Sequence, residues 1–322
     1  MSAEKKDPFN YDKLVENALY YEYSSSADPL ASGLISEIPF TVFPSSLHEE
    51  GPTQIIPLDI SDKLNCPYPA TSPSLLANFV HIKAHENITT DVNATSQLFY
   101  VIRGNGRTQT GETLIPWNTG DFFVLPCNAI AAHHADTDSA FYYVHDAPLL
   151  NYLGVTATKP QFEPTLFTQE REYAELQKAL DDKEAKSRNR ISVLLANKNF
   201  PQTRTITHVL WAMFGILPAN DVQLPHRHES VAIDFAVECQ PGCYSLIGKN
   251  LSETGEIVDP IRADWQPYSV FITPAGYWHS HHNESGAQAH VIPMQDAGLH
   301  SYLRTLDIQF FTEAASASPV NI

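Results

Sequence analysis

The sequence predicts a mostly β chain built as two tandem small barrels joined by a helix. Three observations carry that expectation. Twenty-three prolines lie scattered between short runs rich in Val, Ile, Phe and Tyr, a punctuation that argues against a helical bundle. The chain also repeats itself. Trp117-Asn-Thr-Gly-Asp-Phe-Phe-Val-Leu-Pro126 aligns with Trp265-Gln-Pro-Tyr-Ser-Val-Phe-Ile-Thr-Pro274 at an offset of 148, and His133-His134 falls on His281-His282. Asp146-Ala-Pro-Leu-Leu-Asn-Tyr-Leu153 then matches Asp296-Ala-Gly-Leu-His-Ser-Tyr-Leu303 at an offset of 150, with five of eight positions identical. Finally, 322 residues, 43% of them apolar, suffice for two cores.

Taken in order, residues 1–74 form an N-terminal arm with a short helix at Tyr11 to Tyr21 and a turn at Ser24 to Pro29. Residues 75–160 form the first barrel. Its strand Gln97-Leu-Phe-Tyr-Val-Ile102 has the pattern of Ala232-Ile-Asp-Phe-Ala-Val237 at an offset of 135. The 13-residue difference between offsets 148 and 135 is a longer hairpin around Gly248 to Glu256 in the second copy. Residues 161–200 connect the copies: Thr168 to Ser187 is rich in Glu, Gln, Lys and Ala, and Tyr173, Leu176 and Leu180 recur at helical spacing. Residues 201–322 form the second barrel.

Composition removes several classes of partner. Acidic residues outnumber basic ones 37 to 20, with no Lys/Arg cluster, so neither nucleic acid nor an anionic membrane finds a basic footprint. The opening residues Met1 to Lys13 lack the apolar core of a secretory signal, and no run reaches the ~18 to 20 apolar residues of a membrane span. The expectation is a cytoplasmic protein. Four cysteines, Cys66, Cys127, Cys239 and Cys243, are too few for a disulfide framework. Cys239 and Cys243 flank Gln-Pro-Gly, read as a turn rather than a zinc site.

Of 14 histidines, five lie in two short motifs of the second copy: Pro225-His226-Arg-His228 and Tyr277-Trp-His279-Ser-His281-His282-Asn283. A His-x-His pair on a strand turns both imidazoles to one face. A third histidine from a neighbouring strand completes three facial ligands and leaves positions open, an arrangement that suits iron(II), nickel, manganese or zinc. A surface cluster without a role is the alternative; the third histidine inside the repeat favours the metal.

On these residues the chain resembles the cupin superfamily. Its second motif, from the proline onward, is Pro274-x-Gly276-x2-His279-x3-Asn283, and His226-x-His228 stands for the first. Two copies make a bicupin, two jelly-roll barrels. Ala232 occupies the usual glutamate position, which removes the three-His-plus-Glu site and leaves three histidines. Within the bicupins the chain looks most like the gentisate 1,2-dioxygenase group, with salicylate and 1-hydroxy-2-naphthoate dioxygenases. The counterparts are His226-Arg-His228, Pro274-Ala-Gly-Tyr-Trp-His279-Ser-His281 and Asp296-Ala-Gly-Leu299. The resemblance implies iron(II) on His226, His228 and His279, His281 as a substrate or oxygen contact, a hydroxylated aromatic acid and dioxygen as partners, and a dimer or tetramer. One departure is that the family's iron commonly sits in the N-terminal cupin. Here the aligned positions of the first copy are Asp91, Asn93 and Ala131, with Gln97 at the glutamate position and His133 nearby, so that barrel is expected to be structural or a pocket without chemistry.

Further expectations concern the surroundings. An unbroken strand from His226 points Ala232, Asp234 and Ala236 inward, making Asp234 a candidate second carboxylate or proton acceptor. An anionic substrate needs a cation. Arg204 and His208, on one face of a strand from Thr203 to Ile216, are the candidates, and Arg227 points away. Trp211, Tyr277 and Trp278 line the pocket or pack in the core. Two other functions remain open: a manganese-dependent hydrolase resembling ureidoglycine aminohydrolase, and a non-catalytic metabolite-binding bicupin.

Overall fold

The computed structural model of the chain describes residues 11–185 and 188–311. Residues up to Glu37 form one unit and the chain from Ile38 onward another. In the first, the expected helix shortens to Tyr11–Val15, and a second helix spans Tyr23–Ser26. Leu14, Leu19, Tyr20 and Tyr21 are all exposed, so no buried face extends the first helix beyond a turn. Glu22 caps the second by accepting the N–H groups of Ser24 and Ser25 at 3.0 and 2.9 Å.

The second unit holds four antiparallel sheets, two per repeat. In the first repeat a six-stranded sheet runs in the order Thr165–Phe167, Phe122–Pro126, Ser96–Arg103, Ser139–His145, Leu76–Ile82 and Gln54–Pro57. It closes against a four-stranded sheet of Asn87–Thr90, Ala131–Ala135, Asn105–Thr110 and Thr113–Asn118. In the second repeat the larger sheet is Val42–Phe43, Val270–Thr273, Ala232–Glu238, Ala289–Gln295, Trp211–Leu217 and Ile191–Leu195. Its partner is Ile261–Asp264, Cys243–Gly248, Trp278–Asn283, Asp221–Arg227 and Gln309–Phe310. Segments outside the two repeats thus add edge strands to both barrels.

The central strands of the larger sheets are buried on both faces, which is why they read as nearly continuous apolar runs. One face lines a barrel; the other meets the opposite barrel in a shared core. Tyr100, Phe122 and Tyr142 of the first repeat pack there with Phe214, Ile233, Phe235, Ile272 and Met294 of the second. Tyr142 stacks on Phe235 with ring centroids 5.0 Å apart, and its hydroxyl donates to the Ile233 carbonyl at 3.3 Å. Each such side chain contributes about 1.5–3 kcal/mol of burial, so the two barrels stabilise one another. The linking helix spans Gln169–Asp181 and buries Glu172 and Leu176; Ser187, where it was expected to end, lies outside the described residues. No helix among the described residues is long and apolar enough to cross a membrane.

Two local expectations are corrected. The strand expected from Thr203 is confined to Trp211–Leu217. Before it the chain turns: Arg204 adopts a left-handed backbone at φ 54°, and Thr207 Oγ1 accepts the N–H groups of Val209 and Leu210 at 3.3 and 2.9 Å. Nor does one unbroken strand join His226 to Asp234. The first ends at Arg227 with a register shift between Gln223 and His226, and the next begins at Ala232 in the other sheet. Asp234 nevertheless faces inward, because Val231, Ile233, Phe235 and Val237 belong to the shared core and the alternate residues turn to the barrel interior.

Candidate metal centre

The pair His226 and His228, marked by its spacing, and His279, marked by the resemblance, converge inside the second barrel. His226 lies on Asp221–Arg227, His228 just beyond it, and His279 on the adjacent Trp278–Asn283, where it is paired directly with His226. A ligand nitrogen from each lies within 4.8 Å of the others, and all three residues are buried. Their orientation is fixed by the backbone. His226 Nδ1 donates to the Leu224 carbonyl at 3.2 Å, His228 Nδ1 to Ser230 at 2.8 Å, and His279 Nδ1 to Tyr277 at 3.0 Å. Each proton is thereby held on Nδ1, leaving the Nε2 lone pair for a metal. Gly276, left-handed at φ 74°, makes the turn between Pro274 and His279, and its N–H donates to the His228 carbonyl at 2.7 Å. This bond ties the two ligand segments together.

Electrostatics favours neutral imidazoles. Burial first, then neighbouring imidazoles and Arg190, push His226 and His281 well below the ordinary imidazole value; burial and His228 do the same to His279. Burial brings His228 down to about 4. Neutral, oriented nitrogen donors without a carboxylate fit a borderline divalent ion such as iron(II), manganese, nickel or zinc. His281 stands beside the triad, its ring centroid 5.8 Å from that of His226 and 5.7 Å from that of His279. Its Nδ1 is 2.7 Å from Ser245 Oγ, which also accepts Trp265 Nε1–H at 2.9 Å.

The cation beside the site is Arg190, which sequence reasoning missed. It immediately precedes the strand Ile191–Leu195, and its Nη2 is buried with no hydrogen-bond partner among the described residues. Burial lowers its pKa while Asp234 opposes the shift. Asp234 in turn is raised to about 6 by burial, against the Thr273 Oγ1–H bond of 2.7 Å and the charge of Arg190. Arg204, by contrast, is exposed, and His208 lines a separate cavity of about 630 Å³ with Phe200, Pro201 and Tyr302. Neither shares the expected strand face. Only the parity of Ile191–Leu195 points to Arg190, and in the sequence that segment reads as part of the connection between the barrels.

A larger cavity of about 1110 Å³ reaches Arg190 and Gln223 from outside, walled by Ile216, Leu217, Leu224, Phe310 and others. Gln223 Nε2 is 3.5 Å from His226 Nε2, so it stands between cavity and triad. The ring of Phe310 lies nearly parallel to that of His226, at 19° and 6.1 Å. Trp211, paired directly with Gln295, has a buried Nε1 with no acceptor among the described residues. Arg227 donates to Gln309 Oε1 at 3.1 Å and lies over Trp278, away from the triad.

The first barrel holds no comparable set. Asn93 is spent on the Val155 carbonyl and the Ala157 N–H, and Gln97 on the Ala129 carbonyl and Tyr143 hydroxyl. Among the described residues, the one cluster able to hold a metal is His226, His228 and His279.

No protein-family model matches the chain. Two curated relatives match in part. The 1-hydroxy-2-naphthoate 1,2-dioxygenase of Nocardioides sp. (strain KP7) is 28% identical over 105 residues, 33% of this chain and 24% of that protein. The 5-aminosalicylate 1,2-dioxygenase of Comamonas sp. is 29% identical over 86 residues, 26% of this chain and 23% of that protein. The matched segment thus spans about a quarter of each relative's length. Solved structures match throughout. Salicylate 1,2-dioxygenase from Pseudaminobacter salicylatoxidans superposes with a TM-score of 0.69 at 13% identity, covering 96% of this chain and 99% of that one. A variant of that enzyme in complex with gentisate gives the same score over 97% and 98%. The chain therefore has the all-β double-barrel fold of salicylate 1,2-dioxygenase.

Proposed function

We propose that the chain is an iron(II)-dependent dioxygenase that opens the ring of a small hydroxylated aromatic acid between the hydroxyl- and carboxyl-bearing carbons. One observation supports the reading: three buried imidazoles bring a ring nitrogen each within 4.8 Å of one another beside a buried guanidinium whose Nη2 has no hydrogen-bond partner among the described residues. The names of the partial relatives, which specify a hydroxynaphthoate and an aminosalicylate, support the substrate class.

His226, His228 and His279 hold the ion, which when bound supplies a redox-active Lewis-acid centre for dioxygen and substrate. Arg190 pairs with the substrate carboxylate, satisfying Nη2 with a charge-assisted bond in an interior where an unpaired cation is costly. Asp234 acts through Arg190, neutralising and steadying it before substrate arrives. His281 Nε2 accepts the hydrogen bond of the substrate hydroxyl, with its ring held by Ser245. Trp211 Nε1 offers a further donor to the substrate's oxygens. Both atoms of dioxygen end in the ring-opened product, so no external reductant is needed. A four-ligand hydrolytic site is disfavoured, since Ala232 has no ligand atom to offer where the glutamate would stand.

The test is direct. Protein purified anaerobically and loaded with iron(II) is mixed with gentisate, salicylate or 1-hydroxy-2-naphthoate while oxygen is followed. Consumption of one equivalent of oxygen per equivalent of one of these acids is expected; no uptake with any of them retires the proposal in favour of a binding function.

A further inference from the structure

We propose that Gln295 is a positioning donor for an oxygen ligand entering the open side of the triad next to His228. The inference deepens the metal reading above and rests on it. Gln295 is 3% exposed and ends the central strand Ala289–Gln295, directly opposite Ala232 on one side and Trp211 on the other. Directly opposed residues project from the same face of a sheet, and Ala232 and Asp234 place that face toward the barrel interior. The amide is held in one orientation. Ser230 Oγ donates to Gln295 Oε1 at 2.9 Å, while His228 Nδ1 donates to the Ser230 carbonyl.

With its oxygen engaged, Gln295 turns Nε2 to the triad, 3.5 Å from His228 Nε2. That lone pair is the one a metal takes. Once it is taken, the amide N–H2 group has no other acceptor among the described residues, and a buried donor without an acceptor is destabilising. The acceptor that restores the balance is an oxygen atom lying beside His228 on the open side of the triad. Gln223 differs, because its Nε2 also donates to Asn189 Oδ1 at 2.9 Å and is satisfied without a ligand. The ligand class is a small oxygen anion such as a carboxylate or phenolate, and a nitrogen ligand that cannot accept a hydrogen bond once coordinated gains nothing from Gln295.

The experiment uses the full chain loaded with cobalt(II), whose visible bands report both metal occupancy and ligand entry, titrated with acetate and separately with imidazole. Gln295→Leu is expected to weaken acetate binding about tenfold while leaving imidazole binding and cobalt affinity unchanged. Ser230→Ala, which frees the amide to turn, is expected to weaken acetate about threefold. Unchanged acetate affinity in Gln295→Leu overturns the proposal, as does a tenfold loss of cobalt affinity, which would make the amide a metal ligand. Should Gln295→Leu fail to fold, Ser230→Ala decides alone, and unchanged acetate affinity there overturns it. Absence of cobalt bands in the unsubstituted protein sinks the triad reading instead, and Gln295 with it.

Discussion

The two barrels share a frame and differ in what fills it. In each, a tryptophan N–H donates to a hydroxyl that also contacts a histidine: Trp117, Thr108 and His133 in the first, Trp265, Ser245 and His281 in the second. The first barrel closes this arrangement. His133 has Thr108 Oγ1 at 2.8 Å on Nδ1 and Thr90 Oγ1 at 3.0 Å on Nε2, so both nitrogens are spent. Phe99 stacks between Phe123 and Tyr143 at centroid distances of 4.5 and 4.2 Å, and Phe141 packs edge-on. In the second barrel the positions of Phe99 and Tyr143 hold Asp234 and Pro293, as the matching registers Phe99↔Tyr143 and Asp234↔Pro293 demonstrate. Aromatic volume is thus exchanged for a carboxylate, a buried arginine and three converging imidazoles. One scaffold thus supports either a dense aromatic core or a polar, histidine-lined interior, and the choice lies in a few inward side chains.

The contrast is broken most severely at the ligands. His279→Ala is expected to abolish retention of a divalent metal in metal analysis, whereas His133→Ala leaves the metal content unchanged and instead destabilises the fold by about 2–3 kcal/mol, as a buried, hydrogen-bonded side chain is lost. Retained metal in the first variant would remove the functional difference between the barrels. Next in size is the cation. Arg190→Met should weaken binding of salicylate to the metal-loaded protein about 100-fold with metal content intact, because a buried charge-assisted bond disappears. Arg204→Ala should leave that binding unchanged; a reversed pattern would return the substrate to the other face.

The smallest effect concerns the helix between the barrels. Glu172 is buried with neither carboxylate oxygen hydrogen-bonded among the described residues, and burial raises its pKa to about 9. A carboxyl raised in the fold binds its proton more tightly there than in the unfolded chain. Its protonated form therefore accounts for stability that is complete below the ordinary value of 4.5 and is lost as pH rises toward 9. Glu172→Gln, which cannot ionise, is expected to raise the melting temperature by about 5 °C at pH 8 and change it little at pH 5. Equal shifts at both values would show that the carboxyl is not neutral in the fold.

Much of this was legible in the residues. The Trp-to-Pro repeat and the Asp146 and Asp296 octamers place two copies of one barrel because strand and turn chemistry are local, and they survive as identities at offsets of 148 and 150. His226 and His228 were legible because period 2 along a strand puts alternate side chains on one face, and His279 because the resemblance marks it. Ala232 stands where the resemblance places a glutamate, so the residue type alone removes a carboxylate from that position.

Other features depend on contacts between segments remote in sequence. Arg190 sits in what reads as linker, and only the pairing of Ile191–Leu195 with Trp211–Leu217 brings it to the histidines. Arg204 looked equivalent until a left-handed turn took it off the strand. Phe310 reaches His226 only because Gln309–Phe310 adds an edge to the strand Asp221–Arg227, and the Gln295 amide faces His228 with its oxygen held by Ser230. By itself the sequence determined the repeat, the barrel and the His226-x-His228 pair, since these rest on periodicity and turn chemistry. The cation, the cavity walls and the amide beside the triad were decided by tertiary structure, because burial and the absence of a partner are properties of what surrounds a side chain.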